Sequence, residues 1–328
     1  MRSFDRPPCV RHGKECGGGR MSRLLVFAFL ALSSGFNAFS MRSSAETRPT
    51  TVKVAVMAGP TAFSIAGLDE SSYGIEILKS PADAVARLLN EEVDLAILPS
   101  HLCFLLLQKN SDIRILALTG EGALSIIADP KRFGRNDIDG GMVLHVPAKG
   151  SVPDFLAGFL YAEYEKDYSF SSPVQLASML AQGKATAAIL PEPYASAALK
   201  KGDGLEVARN VQDDFLKMTG VGGYPMSILV ARSAFLADET RVKRIMHDFS
   251  ASYHHAIDNP NATAKRVSDF GFITFQEAFD AISKSGICFK AGDQAKKECD
   301  FLYGIARNAS PDSFVKANID DFYCVVLP

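Results

Sequence analysis

Residues 80–99 read SPADAVARLLNEEVDLAILP, and residues 172–191 read SPVQLASMLAQGKATAAILP. Both stretches begin with Ser-Pro, share a central leucine and end with Ala-Ile-Leu-Pro, at a constant offset of 92 residues. Each Ser-Pro is followed by apolar residues at helical spacing, and each final proline by a second helical pattern. The apolar run before that proline is typical of a buried strand. Since the offset is too long for a solenoid, each copy is predicted to be one βαβ-type unit in one of two similar lobes.

The chain around the two copies continues the alternation of short apolar strands with amphipathic helices. Strands are predicted at 52–57, 75–78, 95–98, 113–118, 142–146 and 225–231. Helices dominate beyond the last of these, at 239–259, 262–270, 275–284 and 293–306. This order predicts an α/β fold of two Rossmann-like lobes, each a mostly parallel sheet covered by helices. The predicted bounds are 46–135 for the first part of lobe one, 136–224 for lobe two, and 225–328 for the return strand and C-terminal helices that complete lobe one. Two crossings between the lobes would form the hinge.

Residues 1–45 differ in character from the rest of the chain. They carry seven Lys and Arg but only two acidic residues, and an apolar stretch at 24–36 follows Arg20 and Arg23. Small residues come next, so the segment is typical of a secretory signal peptide, with Met21 at its expected start and residues 1–20 an over-long beginning. No cysteine ends the apolar stretch, and a lipoprotein attachment site is therefore not expected. Export as a cleaved protein is predicted, with an uncleaved membrane anchor as the alternative.

Charge and cysteines exclude several function classes. Without residues 1–45 the chain has 28 basic and 35 acidic residues, and a mildly acidic surface does not favour nucleic acid. An exported location permits disulfides, and Cys288 with Cys299 is the predicted pair, whereas Cys103 lies in an apolar run typical of a buried thiol. Neither the cysteines nor the histidines have metal-ligand spacing, so no metal and no cofactor are expected.

Four segments carry a resemblance to a known family: 54–61 (VAVMAGPT), 92–99 (EVDLAILP), 183–193 (GKATAAILPEP) and 320–323 (DDFY). On these residues the chain resembles the substrate-binding proteins of ABC importers, of the nitrate, sulfonate, taurine and thiamine-precursor type. The resemblance runs from about residue 51 to the end. It implies the periplasmic-binding-protein type II fold and no enzymatic activity.

The resemblance also implies partners and a competing hypothesis. The partners are a small solute, an ABC permease and its ATPase, and the binding protein is expected to be a monomer in the periplasm. An aminopyrimidine-type vitamin precursor and a sulfonate or similar organic anion remain open as solutes. The main alternative is a same-fold enzyme of pyrimidine or menaquinone precursor synthesis, against which the leader counts. A sensory binding module ranks third.

Candidate ligand contacts follow the strand ends, because ligands of open α/β sheets bind beyond the carboxyl ends of the strands. A glycine loop after the first strand and the turn after the first repeat are the candidates in lobe one. The residues concerned are Gly59, Pro60, Thr61, Ser100, His101 and Thr119. Ser100 could equally cap a helix, and His101 has no evident catalytic partner.

Lobe two and the hinge supply the remaining candidates. Lys149, Gly150 and Ser151 precede a helix, where backbone amides favour an anion. Glu192 would instead accept hydrogen bonds from an amine-bearing ligand, and Tyr194 beside it could stack on a ring. Tyr224 follows two glycines at the predicted hinge.

Overall fold

The computed structural model describes residues 51–110, 112–131 and 142–324. The predicted leader and linker, residues 1–50, lie outside the described residues, as does most of the stretch predicted to separate the lobes. Within the described residues the β-strands are β1 (Val52–Met57), β2 (Tyr73–Leu78), β3 (Leu95–Pro99), β4 (Ile113–Glu121), β5 (Leu124–Ala128), β6 (Val143–His145), β7 (Glu165–Asp167), β8 (Ala187–Pro191), β9 (Glu206–Asn210), β10 (Pro225–Arg232) and β11 (Ile287–Lys290). The α-helices are α1 (Pro81–Leu89), α2 (Ser100–Lys109), α3 (Val152–Leu160), α4 (Pro173–Ala181), α5 (Tyr194–Lys201), α6 (Val211–Thr219), α7 (Glu239–Asp258), α8 (Pro260–Asp269), α9 (Phe275–Ile282) and α10 (Gly292–Ala309). Short 3-10 turns lie at Pro60–Ala62, Ser233–Ala237 and Asp320–Phe322.

The strands form two sheets, and each sheet with its helices is called a lobe below. The lobe-one sheet has the order β11-β4-β10-β3-β1-β2, and the lobe-two sheet the order β7-β6-β8-β5-β9. Strands β1, β2 and β3 pair in parallel, while β10 runs antiparallel to both β3 and β4. In lobe two, β5 runs antiparallel to both β8 and β9. The predicted α/β class with two Rossmann-like lobes is therefore the observed architecture.

The repeated sequence forms the same local structure in both lobes. Ser80 and Ser172 cap α1 and α4 by accepting a hydrogen bond from the backbone N–H three residues later, with proline at the first helical position. Such caps and prolines favour a helix start. Each helix is followed by a buried strand, β3 or β8, and then by α2 or α5. Sequence similarity at an offset of 92 residues thus corresponds to one structural unit in each lobe.

The first crossing lies earlier than predicted. Strand β5 pairs with β8 and β9 of lobe two, so the chain leaves lobe one at Gly122 and Ala123. The predicted boundary at 135 assigned this strand to lobe one and was wrong by about a dozen residues. Composition misled the prediction, because the Gly-rich stretch at 130–141 follows the first strand of lobe two and does not precede it. The second crossing, residues 222–225, returns the chain to lobe one, where β10 begins at Pro225.

The C-terminal helices do not all pack on lobe one alone. An apolar cluster around β1 holds α7, α8 and α9 against the lobe-one sheet. Helix α10 is different, because it belongs to a cluster that includes residues of both lobes. Edge-to-face aromatic contacts run from Phe104 through Tyr303 and Phe314 to Phe155 in α3 of lobe two, with ring centroids 5.5, 6.0 and 5.8 Å apart. Since each such contact is worth about 0.5–1.5 kcal/mol, α10 and the chain after it stabilise both lobes.

The predicted disulfide is not formed. Cys103, Cys288, Cys299 and Cys324 are all free thiols and all buried. Cys288 lies on β11 beside Lys290, whereas Cys299 lies on α10 on the side that faces Cys103 and Tyr323. The loop between them brings the two elements together but points the two side chains into different surroundings. The prediction for Cys103, a buried free thiol, agrees with the structure.

Candidate functional site

Strand registers place both copies of the repeat beside the crossings. Ser227, close to the start of β10, lies opposite Pro99 at the end of β3. Leu124, at the start of β5, lies opposite Pro191 at the end of β8. The carboxyl ends of the two repeat strands therefore adjoin the segments that join the lobes. Ligands of open α/β sheets bind at this edge, and it is the candidate site.

Hydrogen bonds attach each repeat turn to a crossing. The hydroxyl of Ser100 donates to the carbonyl oxygen of Pro225 over 2.6 Å. The backbone N–H of Glu192 donates to the carbonyl oxygen of Ala123 over 3.0 Å. The two crossings are themselves joined by the N–H of Gly122 and the carbonyl oxygen of Tyr224, 3.2 Å apart. Each repeat turn is thereby hydrogen-bonded to a crossing, and the crossings to each other.

The glycine loop of lobe one is open on its side-chain side. Gly59 has a φ of 150°, and a Cβ placed on it would meet no atom within 4 Å. The Thr61 hydroxyl donates to the carbonyl oxygen of Met57 over 2.8 Å. Its hydrogen is therefore used within the loop, and an oxygen lone pair remains as the possible contact. Gly59 and Pro60 offer backbone and ring surface at the end of β1.

Three predicted contact residues are fully enclosed. Ser100, Thr119 and Tyr224 have 0%, 1% and 0% of their surface exposed. The Thr119 hydroxyl lies 2.9 Å from that of Ser227, and the Tyr224 ring packs edge-to-face on Phe215 with centroids 5.2 Å apart. In this conformation these side chains cannot reach a solute. Their part in the site is to hold β3, β4, β10 and α6 around the crossings, which corrects the prediction for them.

His101 is the second residue after β3. It is half-buried, and its Nδ1 atom is buried without a hydrogen-bond partner in the described part of the chain. Burial lowers the pKa of the imidazole to about 4. The ring is therefore neutral at neutral pH, with one nitrogen as donor and the other as acceptor. A neutral imidazole can exchange hydrogen bonds with a solute without contributing charge.

The predicted anion loop in lobe two already holds a carboxylate of the protein. Gly150, with a φ of 77°, donates its N–H to Asp154 Oδ2 over 2.7 Å. The Ser151 hydroxyl donates to the carbonyl oxygen of Ala148 over 2.6 Å, and Lys149 is exposed. Asp154 is 7% exposed, so its negative charge occupies the place where a solute anion was predicted. Residue 154 was not among the predicted site residues, although an acidic residue in the first turn of a helix is a recognisable signal.

Asp154 is itself held by three donors. Besides Gly150, the Lys166 ammonium and the Tyr168 hydroxyl reach its Oδ1 atom at 2.9 and 2.7 Å. Burial alone would raise the pKa of this carboxyl, but the Gly150 amide, Lys166 and Tyr168 together lower it below its ordinary value. The carboxylate is ionised at neutral pH and fixes the loop before α3.

A series of hydrogen bonds connects the turn after β8 to lobe one. Glu192 accepts hydrogen bonds from the backbone N–H and hydroxyl of Ser196, at 3.1 and 3.0 Å. The same hydroxyl accepts a hydrogen bond from Lys284, which follows α9 in lobe one, at 3.3 Å. Tyr194 is half-buried beside these hydrogen bonds, and burial raises the pKa of its phenol. Ser196 and Lys284 were not predicted, because no local pattern relates residues 88 positions apart.

Two surface pockets lie at the other end of the lobe-one strands. Their volumes are about 370 and 360 Å³, and they are lined by residues near the starts of β4 and β1. The Lys316 ammonium at one of them donates to the carbonyl oxygen of Leu107 over 2.8 Å. In residues 51–110, 112–131 and 142–324, no group of three or more His, Cys, Asp or Glu side chains is placed to hold a metal ion. None of the helices in these ranges is long and apolar enough to cross a membrane.

Comparisons with known proteins give matches in structure but not in sequence. No model of a known protein family matches the chain, and none of the curated proteins matches it. An ABC transporter from Parabacteroides distasonis superposes with a TM-score of 0.69 at 20% identity, over 84% of this chain and 99% of that one. The chain has the fold of the periplasmic binding proteins. The periplasmic aliphatic sulphonate binding protein of Escherichia coli matches with a TM-score of 0.63 at 14% identity, over 83% and 96%.

A third structure agrees with this fold. It is the ligand-binding component of an ABC-type import system from Staphylococcus aureus with zinc bound, with a TM-score of 0.60 at 14% identity, over 84% of this chain and 96% of that one. At such identities the likeness shows the fold alone. The predicted periplasmic-binding-protein fold is thereby confirmed.

Proposed function

We propose that the protein captures a small organic solute between its two lobes and delivers it to an ABC permease, without chemical change. The observation that carries the proposal is the bonding of both repeat turns to the crossings, Ser100 to Pro225 and Glu192 to Ala123. A solute touching both turns would bias the angle between the lobes, and that angle is a signal that a permease can recognise.

The solute would contact atoms that remain available at the candidate site. In lobe one these are the loop of Gly59, Pro60 and Thr61 and the neutral imidazole of His101. In lobe two they are Glu192, Tyr194 and the exposed Lys149 beside Gly150 and Ser151. Few polar groups combined with apolar surface are typical of small-molecule sites.

The two solute classes differ in how well they match these groups of the candidate site. The Gly150 amide is used by Asp154, and a carboxylate at that place disfavours a sulfonate or other organic anion. Glu192 and the ring of Tyr194 instead suit an amine-bearing aromatic solute of the aminopyrimidine type. The E. coli neighbour is named for aliphatic sulphonates, so both classes belong in the test.

The remaining parts of the proposal concern location and partners. Residues 1–45 would direct export. Their removal would leave a monomer in the periplasm, whereas an uncleaved leader would hold the protein at the membrane. The partners would be the permease and ATPase of one importer. The named neighbours from ABC import systems support these partners. Nothing among the described residues favours the alternative of a same-fold enzyme.

Ligand screening by thermal shift tests the proposal, followed by calorimetric titration of the solute that binds. The panel should contain aminopyrimidines and alkyl sulfonates. We expect His101→Ala and Glu192→Gln to weaken the binding of that solute about tenfold each, the effect of losing roughly 1.4 kcal/mol. Glu163→Gln, at an exposed position of lobe two, should bind like the unaltered chain. Chemical conversion of a bound compound would contradict the proposal.

A further inference from the structure

The first crossing is a strained two-residue connection. Gly122 and Ala123 both have a φ of 61°, in the left-handed region that alanine rarely adopts. Gln212 from α6 lies against this crossing and donates its side-chain N–H to the carbonyl oxygen of Gly222 over 2.6 Å, so it touches both crossings. Rotation of one lobe against the other must change the backbone of these few residues.

Lobe one holds the same crossing from the other side. The N–H of Glu121 donates to the carbonyl oxygen of Gly286 over 2.7 Å. Gly286 has a φ of 62°, and a Cβ on it would overlap the carbonyl oxygen of Glu121. A Cβ on Gly223, in the second crossing, would overlap the carboxylate of Glu121. Glu121 is thus the residue at which lobe one contacts both crossings.

The side chain of Glu121 belongs to a largely buried cluster of three charges, called the hinge triad here. The Lys290 ammonium contacts Glu121 Oε2 and lies 2.8 Å from Glu298 Oε1. The side chains of Glu121, Lys290 and Glu298 are 24%, 15% and 4% exposed. Glu298 Oε2 is buried and has no hydrogen-bond partner in the described residues. One ammonium therefore pairs with two carboxylates, and the ionised triad has one more negative than positive charge.

We propose that the hinge triad is a latch whose protonation state controls the mobility of the lobes. With both carboxylates ionised, Lys290 ties Glu121 to α10 and keeps its carboxylate against Gly223. A proton on Glu121 would leave Lys290 matched one to one with Glu298, and would remove the attraction between opposite charges from the contact of Lys290 with Glu121. Without that attraction Lys290 would hold Glu121 to α10 less strongly, so acid would release the first crossing.

The groups that face the triad support a change at Glu121. Burial and the neighbouring Glu298 raise the pKa of Glu121, although Lys290 opposes them. Burial lowers the pKa of Lys290, but the two carboxylates outweigh it and raise the pKa, so Lys290 stays charged. Cys288 and Tyr224 also face the triad, and burial raises the pKa of both, which keeps them neutral. Of the groups with a shifted pKa at the triad, Glu121 is therefore the one that acidification protonates.

Distances between spin labels on the two lobes test the latch without any solute. Ala82 and Gln175 are exposed positions in the first turns of α1 and α4, and cysteines there can be labelled because the four native cysteines of the described chain are buried. Cys9 and Cys16 would be replaced by serine. Because the pKa of Glu121 is raised, we expect the distance distribution to broaden as the pH is lowered from neutral.

Two triad variants and one control decide the outcome. Glu121→Gln should show the broad distribution already at neutral pH and lose its response to pH. Glu298→Gln should keep the narrow distribution in acid, because Glu121 and Lys290 are then matched one to one. Glu163→Gln should respond like the unaltered chain. An unaltered chain that does not respond to pH, or triad variants that respond as it does, would overturn the latch, and neither result would depend on whether the protein binds a solute.

Discussion

The hydroxyl of Ser100 and the carbonyl oxygen of Pro225 form a 2.6 Å hydrogen bond between residues 125 positions apart. Ser100 begins α2, directly after the first repeat strand, and Pro225 begins the strand that returns from lobe two. The bond is fully buried. It joins the first repeat turn to the second crossing, so the position of the turn depends on the path of the returning chain.

Removing this hydroxyl should destabilise the protein. Ser100→Ala would leave the carbonyl oxygen of Pro225 buried without that partner, and we expect a loss of about 1–3 kcal/mol in the free energy of unfolding. Urea unfolding measures the loss. Ser283→Ala, at an exposed position after α9, is the control and should change the free energy by less than about 0.5 kcal/mol. Equal stability of the two variants would show that the Ser100 bond is unimportant.

Gly286 should tolerate no side chain. A Cβ there would overlap the carbonyl oxygen of Glu121, in addition to the strain of a left-handed φ of 62°. Gly220, at a similar φ of 69°, has open space around the same position. We expect Gly220→Ala to cost about 1–2 kcal/mol from backbone strain alone, and Gly286→Ala to cost clearly more. Similar melting temperatures for the two variants would contradict the close approach at the crossing.

The Asp154 carboxylate should make stability depend on pH. Because its pKa is lowered in the folded chain, its contribution is present above the pKa of about 4 of an unfolded aspartate and is lost as the pH falls through the folded value. Asp154→Asn should therefore lower the free energy of unfolding by about 1–3 kcal/mol at neutral pH and by less in acid. Asp203→Asn, at an exposed position, is the control. If the loss in the free energy of unfolding caused by Asp154→Asn were the same at every pH, the charge of Asp154 would not contribute to stability.

The four cysteines of the described chain should behave as protected thiols. Burial raises the pKa of Cys103, Cys288 and Cys299, and thiolate is the form that reacts. We expect alkylation at all four positions to be slow in the native protein and complete in denaturant without a reductant. Peptide mapping assigns each site. Recovery of Cys288 and Cys299 as one disulfide-linked pair from the exported protein would contradict the structure.

Much of the fold could be predicted because it depends on local patterns. Strand β1 was predicted with the bounds that the structure has, and both repeats were predicted as helix, strand and helix. These elements combine a serine cap, proline at the helix start and a fully apolar strand, and each of these signals lies within a few residues. The short strands β7 and β11 were missed because they have only three and four residues, and β9 because its residues are mostly polar and exposed.

The candidate site was harder to predict because its contacts join distant residues. The positions at the strand ends followed from topology, but the exposure of each side chain did not. Ser100 and Thr119 are polar residues at the right edge, yet their hydroxyls are used by Pro225 and Ser227 inside the protein. Asp154 fills the loop that was predicted for an anion. Whether a polar group is available to a solute depends on partners up to 125 residues away, which no sequence window contains.

Native mass spectrometry of the protein isolated from its own export pathway tests the central claim, reversible capture of a small solute, most directly. Bound molecules would be released by gentle activation and identified by mass. We predict one small organic molecule per chain, released unchanged, and its loss when Glu192→Gln is isolated in the same way. A protein isolated without a bound small molecule, or with the molecule attached covalently to the chain, would contradict the account.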